Sequence, residues 1–573
     1  MNDFQKSDPD YHGGKQVDLI VDPERSAILK KLSMDLPSIT LDDRQLCDFE
    51  LLTTGAFSPL TGFMTRSNYE SVMDRMKLQD GTLWPIPICL DVSETAAKNL
   101  EAGQSIAIRD PEGFLLAVMH VEDIWTPDKA KEASLLFGTT DPSHPGVYHL
   151  FHRTGEVYVG GALEVMNLPL HYDFRQLRMT PPEVRGLFKK LGWHRIVGFH
   201  TTNTMHRPEH EMAIRAMRKS RANLLLMPGV GISGPGDFDY YTRVRCYRHV
   251  LGYFPPESAT MTLLPIFSRM AGPKDALLQS IVARNYGCTH FIVGHQHGDP
   301  GCHNGATPFY DSGETWNTVH TLAKEVGVAD IPCDELVYQP FEDVFSPKDE
   351  VPEGTEVVSL TSLDIRDRIR SGRKIPRWVT FPEVVGELKK AYPPPSKKGF
   401  TVFFTGLSGA GKSTIARVLY AKMLEIGRRP VTLLDGDIVR QNLSNELTFS
   451  KEHRDINVRR IGFVASEITK NRGVAICAPI APYAVTRAEI RANIEACGGF
   501  IEVHVATPLE VCEKRDRKGM YAKARAGLIK GYTGIDDPYE IPEAPEVRVN
   551  TTDKTPDEAA QEILIYLGQK RFI

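Results

Sequence analysis

Three rhythms of apolar and polar positions divide the chain. From Val17 to about Leu170, short apolar runs alternate with turn residues. Leu83–Leu90, Ser105–Arg109 and Leu115–Val121 predict strands of a compact, mainly β domain. From Arg195 the apolar runs become continuous: Arg195–His200, Ala222–Pro228, Ala259–Leu264 and His290–Val293. Helical spacing lies between them, near Glu209–Arg218, Asp237–Leu251 and Asp275–Tyr286. That alternation predicts a parallel, doubly wound sheet. A small mixed segment runs to about Lys390, and Tyr392-Pro-Pro-Pro-Ser-Lys-Lys-Gly399 reads as a stiff, exposed linker. Beyond it, the apolar strand Phe400–Thr405 enters a glycine-rich loop. In Thr414–Ile426, which follows, Ile415, Val418, Leu419 and Ile426 share one helical face. The expected partition is a mobile tail 1–16, then 17–170, 171–330, 331–390, a linker 391–399 and 400–573. The fold class is α/β multidomain.

At 573 residues there is chain for about three to four domains. A net charge of −5 argues against a general nucleic-acid or membrane-surface binder. Any anionic ligand must then be held by local arginines, lysines and backbone N–H groups. The nine cysteines are scattered, with no C-x-x-C, which suits reduced thiols. The polar start MNDFQKSDPDYHGGKQ has no apolar core of a secretory signal, and no apolar run approaches the ~18 residues of a membrane span. The cytoplasm is the expected location.

Candidate chemistry concentrates after residue 400. Gly406-Leu407-Ser408-Gly409-Ala410-Gly411-Lys412-Ser413, followed by Thr414, has the phosphate-binding spacing G-x-x-x-x-G-K-S between a strand and a helix. The glycines let backbone N–H groups converge on phosphate oxygens at a helix N-terminus. Lys412 reaches the β/γ-phosphates, and the Ser413 hydroxyl holds Mg²⁺ brought with ATP. The next strand, Pro430–Leu434, ends in Asp435-Gly436-Asp437. Alone that triplet reads as a turn. At the edge of a parallel sheet beside a P-loop, one carboxylate can orient Mg²⁺ waters and the other accept a hydroxyl proton. Arg440, Arg454, Arg459 and Arg460 flank the same region, and Arg515–Arg525 has the charge and glycine content of a mobile lid.

Together LDGD-x-V-R, FS-x-x-x-R-x-x-N-x-R-R, RD-x-K-G-x-Y and YTGIDDPYE-x-P closely resemble the adenylylsulfate (APS) kinase family, over about residues 396–573. The resemblance implies a P-loop kinase domain with a parallel sheet that moves the ATP γ-phosphoryl group to the 3′-OH of APS, giving PAPS. By matching position, Asp437 is the base, Asp435 stands near Mg²⁺, and Lys412 and Arg454 complete the catalytic set. Arg440, Arg454, Asn457 and Lys518 hold APS, and Phe449 and Tyr532 sandwich its adenine. Some family members carry a serine before the proline of an S-P motif. Here Ala481 precedes Pro482, which leaves direct in-line transfer without a phosphoserine.

Phe57–Met64, Arg269–Ala276, Asn285–Gly294 and Ile365–Arg373 are similar to the ATP sulfurylase family. This resemblance covers most of residues 17–390. It implies a PUA-like β domain and a Rossmann-like nucleotidyltransferase domain, fused to the kinase as in bifunctional PAPS synthetases. Its site departs from the family pattern Q-x-R-N-x-x-H-x-x-H, which here reads His200-Thr201-Thr202-Asn203-Thr204-Met205-His206-Arg207-Pro208-Glu209. Asn203 and His206 match. His200, Thr202 and Glu209 replace Gln, Arg and His, and His210 comes one residue late, about 100° around a helix. The motif G-R-D-H-A-G becomes Gly294-His295-Gln296-His297-Gly298-Asp299. A lost guanidinium removes a contact worth about 1.5–3 kcal/mol, and Glu209 against pyrophosphate would repel it. The histidines 200, 206, 210, 295, 297 and 303 read either as a remodelled pocket or as a transition-metal site.

Three readings follow: an active APS kinase with an impaired sulfurylase region, a fully bifunctional enzyme, or a kinase fused to a non-catalytic nucleotide- or anion-binding module. In each the ligands are ATP, APS and PAPS, without nucleic acid or membrane. The two resemblances imply a homo-oligomer.

Overall fold

In the computed structural model the apolar runs before residue 170 form a six-stranded sheet. Its order is Ser38–Thr40, Ser105–Arg109, Leu115–Trp125, Val157–Val165, Gly62–Phe63, with Leu90–Val92 also paired to Val157–Val165. The structure describes residues 10–231, 238–294, 297–300, 308–311, 313–333, 335–448, 450–516 and 519–573, without the side chains of residues 362, 363 and 437. The expected strand Leu83–Leu90 is not one. Leu83 makes an isolated bridge to Lys77, and regular pairing begins only at Leu90. Pro85 and Pro87 have no N–H to give a ladder. Trp84, Ile86 and Ile88 still alternate into the core, and the Trp84 indole donates to Ile86 O at 2.7 Å. The alternation thus reports burial without hydrogen-bonded pairing.

The continuous apolar runs form a five-stranded, all-parallel sheet ordered Ala329–Pro332, His290–Val293, Ile196–Thr201, Asn223–Pro228, Ala259–Met261. Helices Arg207–Ser220, Tyr240–Leu251 and Pro273–Asn285 stand where helical spacing predicts them, within a few residues. Ala259–Met261 stops short of Leu264, which reaches the sheet only as a bridge to Gly229. A hairpin, Leu336–Gln339 with Val344–Pro347, lies in the mixed segment.

Both sheets belong to one compact unit, residues 1–366 with 375–388. The second unit comprises 367–374 and 389–573. Of the expected tail, residues 1–9 lie outside the described residues, whereas residues 10–16 are held in place. His12 is buried, its backbone N–H donates to Asn285 Oδ1 at 2.7 Å, and its Nε2 lies 2.7 Å from Leu83 O. The expected linker 391–399 is packed into the second unit. Residues 392–395 are half-buried, Pro395–Lys397 forms a 3₁₀ turn, and a Cβ on Gly399 would lie 2.0 Å from Thr469 O. A proline-rich composition marks stiffness, and stiffness is compatible with burial.

The second unit is a five-stranded parallel sheet ordered Val431–Asp435, Val474–Ala478, Phe400–Thr405, Gly499–Val505, Val547–Val549. Phe400–Thr405 is buried at every position, and Phe400, Phe403 and Phe404 fill the two faces. Each such ring contributes about 2–3 kcal/mol by leaving water. The C-terminal edge of this sheet, where ligands bind in open parallel folds, carries the P-loop and Asp435.

Candidate functional site

The glycine-rich loop needs backbone conformations that side chains oppose. Gly406 has φ 149° and a Cβ there would sit 2.7 Å from Val505 O, while Gly411, at φ 107°, starts the helix Lys412–Ile426. The loop's carbonyls are held from behind. Ala410 O accepts from Thr507 Oγ1 at 3.1 Å and from Thr551 Oγ1 at 2.9 Å, and Ser408 O accepts from the Tyr521 hydroxyl at 2.8 Å. The buried Lys412 folds back, its Nζ donating to Gly406 O and Leu407 O at 2.8 Å each. Tying carbonyls outward leaves the loop to present N–H groups, the arrangement an anion needs.

A cavity of about 620 Å³ opens beside this loop. Ser408, Gly409, Gly411, Lys412, Ser413 and Thr414 form one wall. Asp435, Arg440, Arg454 and Asn457 form another. Asp435 is buried at the end of its strand, in register with Ala478. Arg440 donates to Thr448 O at 3.0 Å. Arg454 and Asn457 lie one turn apart on the helix Lys451–Lys470. Gly406, Leu407 and Ala410 shape the loop from behind this wall. Tyr532 does not line the cavity; its ring stands edge-on to Tyr521, centroids 5.1 Å apart. Phe449 and Lys518 lie outside the described residues, and Asp437 is described only as part of the helix Gly436–Leu443. Ala481 has φ 45°, and its carbonyl accepts from Thr405 Oγ1 at 3.1 Å and Arg487 Nη1 at 2.8 Å.

Of the remaining lining residues, Arg515 and Thr533 fall within motifs read in the sequence, whereas Thr551 and Lys554 fall in none. Arg515 donates to Thr551 Oγ1 at 2.8 Å and Thr551 O at 2.7 Å, and Thr533 and Lys554 also reach the wall. Tyr521 and Arg515 fall inside the segment read as a lid. There Tyr521 is buried against the loop, and burial first pushes its hydroxyl pKa well up.

The altered site in the first unit is built differently. His200, at the end of Ile196–Thr201, is buried and donates from Nδ1 to Met227 O at 2.8 Å. Burial, then the neighbouring His297, lowers its pKa to about 4, so the ring is neutral at pH 7. The His200 and His297 rings lie 6.3 Å apart, and His297 Nε2 pairs with Gln279 Oε1. Thr201 Oγ1 accepts from Asn203 N at 3.1 Å, Thr202 O from Arg243, and Asn203 O from the Tyr247 hydroxyl. His206 Nδ1 sits 2.9 Å from Thr380 Oγ1.

Glu209 corrects the expectation that it opposes an anion. Its Oε2 accepts from His206 N at 3.0 Å and closes a capping box at the start of Arg207–Ser220. His210, one residue on, packs against Phe254 and Phe381 at 4.4 and 5.4 Å. The cavity lined by Thr202, Asn203, Thr204, His206, Arg243 and Arg366 measures about 10 Å³, room for roughly one water. His295 and His303 lie outside the described residues. Among the described residues, no group of three His, Cys, Asp or Glu side chains is placed to hold a metal ion, and no helix is long and apolar enough to cross a membrane.

Family models match three stretches: a PUA-like domain over 9–168, ATP-sulfurylase over 175–391 and adenylylsulphate kinase over 398–550. A sulfate adenylyltransferase of Phaeosphaeria nodorum is 45% identical over 560 residues, covering 97% of this chain and 98% of that one. The chain belongs to the sulfate adenylyltransferase family. Another member, from Mycosarcoma maydis, is 43% identical over 98% of this chain and 99% of its own. A solved structure described as a hexameric APS kinase from Thiobacillus denitrificans superimposes with a TM-score of 0.81 at 40% identity, covering 99% of this chain and 100% of that one. This member of the family thus carries both an ATP-sulfurylase and an adenylylsulfate kinase domain, and it is an enzyme of the kinase type.

Proposed function

We propose that the chain transfers the γ-phosphoryl group of ATP to the 3′-OH of adenylylsulfate, forming PAPS, and that its sulfurylase-type region is impaired. One observation carries the kinase reading. A P-loop with its lysine, a buried strand-end carboxylate and four arginines share the walls of a single 620 Å³ cavity. Lys412 exchanges the carbonyls of Gly406 and Leu407 for phosphate oxygens when nucleotide enters, and the helix N-terminus adds its positive end. Arg440, Arg454 and Asn457 bind the anionic acceptor substrate opposite. By resemblance, Asp437 takes the 3′-hydroxyl proton. Ser413 and Asp435 are hard oxygen donors on the same cavity, which fits Mg²⁺ accompanying ATP; the ion would draw charge from the phosphates.

The sulfurylase reading rests on lost chemistry. His200 is neutral and tied to a carbonyl, Thr202 brings no guanidinium, and Glu209 is committed to a helix cap. The second reading, a working enzyme for both steps, is favoured by the names of the full-length relatives, which are sulfate adenylyltransferases. Incubation with APS and MgATP should yield PAPS, whereas sulfate and ATP should release no pyrophosphate. Robust pyrophosphate release would establish the bifunctional reading, and absence of PAPS would remove the kinase one. PAPS formation without pyrophosphate also fits the third reading, a binding module in the first unit.

We further assign a homo-oligomer, supported by the hexameric relative, and the cytoplasm, supported by cysteines free of disulfides among the described residues. The partition 17–170, 171–330, 331–390 and 400–573 is retained as our assignment.

A further inference from the structure

Arg454 stands on the cavity wall, and its orientation is set by Thr533 on that wall and by Asp537 outside it. Nη1 donates to Thr533 Oγ1 at 2.7 Å and Nη2 to Asp537 Oδ2 at 2.8 Å. The same Asp537 oxygen accepts the Tyr483 hydroxyl at 2.8 Å. Asp537 is only 8% exposed, and neither it nor Tyr483 lines the cavity. Thr533 and Asp537 are bridged through the backbone, and Gly534 N donates to Asp537 O at 2.8 Å, so one tight turn delivers both acceptors. Two guanidinium edges are thereby fixed. Arg454 Nε and, one turn along the helix, Asn457 Oδ1 are buried with no hydrogen-bond partner among the described residues.

A buried donor and a buried acceptor left unmatched beside a cavity are costly unless a ligand completes them. Two acceptors that lock a guanidinium make the same geometry available at every binding event. We propose that Asp537, seconded by Tyr483, is a positioning residue that orients Arg454 for the sulfated nucleotide and so sets affinity for that substrate and not for ATP. The inference rests on the kinase reading above.

Charge alone argues for the opposite outcome. An anion approaching Arg454 also meets the Asp537 carboxylate, so neutralising Asp537 would tighten anion binding if electrostatic attraction were all that mattered. Positioning makes the same substitution loosen it. The sign of the change in KM therefore separates the two roles.

The test is steady-state kinetics on the full chain carrying Asp537→Asn, which keeps the side-chain volume. The KM for APS should rise roughly 10- to 30-fold, as expected for losing one charge-assisted contact. The KM for ATP should stay within about twofold, since only the acceptor side is disturbed. Tyr483→Phe removes one hydroxyl and should raise the KM for APS about threefold. An unchanged or lowered KM for APS, or a parallel rise in both KM values, would overturn the proposal. Should Asp537→Asn fail to fold, Tyr483→Phe and Thr533→Val carry the test, and an unchanged KM for APS in both overturns it. A wild-type chain that makes no PAPS removes the kinase reading and this inference with it. PAPS formation with an unaltered KM in the variants removes this inference alone.

Discussion

The two units end their parallel sheets in opposite ways. In the second unit the strand ends open onto about 620 Å³ lined by a lysine, a carboxylate and arginines, while in the first a pocket of about 10 Å³ lies among the described residues Thr202, Asn203, Thr204, His206, Arg243 and Arg366. The difference lies in what the polar groups are tied to. Around the P-loop, carbonyls are bound from behind by Thr507, Thr551 and Tyr521, which leaves donors for a ligand. Around residues 200–209 side-chain atoms are held within the fold: His200 Nδ1 by Met227 O, His206 Nδ1 by Thr380 and Glu209 Oε2 by its own helix start. The P-loop site thus opens a ligand-sized space beside its loop, while at the sulfurylase-type site the residues that depart from the family pattern are held by the fold around them.

The largest break in that contrast would come from Lys412→Ala. It should lower PAPS formation by roughly 10²- to 10³-fold, the scale of losing one preorganised cationic or oxyanion contact, with far-UV dichroism unchanged. An unaltered rate would dissolve the assignment of the second unit. Next, wild-type pyrophosphate release from sulfate and ATP should be at least ~100-fold slower than PAPS formation, since two lost charge-assisted contacts act together. Comparable rates would put the units on equal footing.

The contrast can also be sharpened through pH. His200 is held near pKa 4, below the ordinary 6.5, by burial. Above pH 6.5 the ring is neutral folded or unfolded and costs nothing. As pH falls from 6.5 towards 4, the unfolded chain takes up the proton first, and the first unit loses about 3 kcal/mol. His504 in the second unit, also lowered to about 4 and chiefly by burial, should act in the same window. All five tryptophans (84, 125, 193, 316 and 378) lie in the first unit, so tryptophan emission reports that unit alone. His200→Gln should flatten its acid transition and leave that of the second unit as it was. Smaller still, Glu209→Ala should cost the first unit about 1 kcal/mol through its lost cap, read as a lower Tm, with PAPS formation untouched.

What sequence spacing made legible was local. The P-loop, the strand end at Asp435 and the i, i+3 pair Arg454 and Asn457 are each defined within a few residues, so a motif captures them. Thr551, Tyr521 and Asp537 act through contacts with partners 54 to 141 residues away; Tyr521 and Asp537 fall within quoted motifs, but no local spacing names their partners, and Thr551 lies in no motif. Leu83–Leu90 shows the converse, since its alternation reports burial correctly while two prolines forbid the ladder. Glu209 was legible as a change in charge; only the coordinates show that its carboxylate is a cap.

The hold of Thr551 on Ala410 also has a consequence for how the protein is made. A ribosome completes the glycine-rich loop long before it reaches residue 551, so for much of translation the loop lacks one of the hydroxyls that shape it. Arg515 and Thr507 are themselves anchored to Thr551. A nascent or prematurely terminated chain that ends before that threonine therefore carries the full phosphate-binding signature without the tethered form of the loop. Such fragments should neither sequester ATP nor turn it over, and competence should arrive only once residue 551 has been made and has folded back.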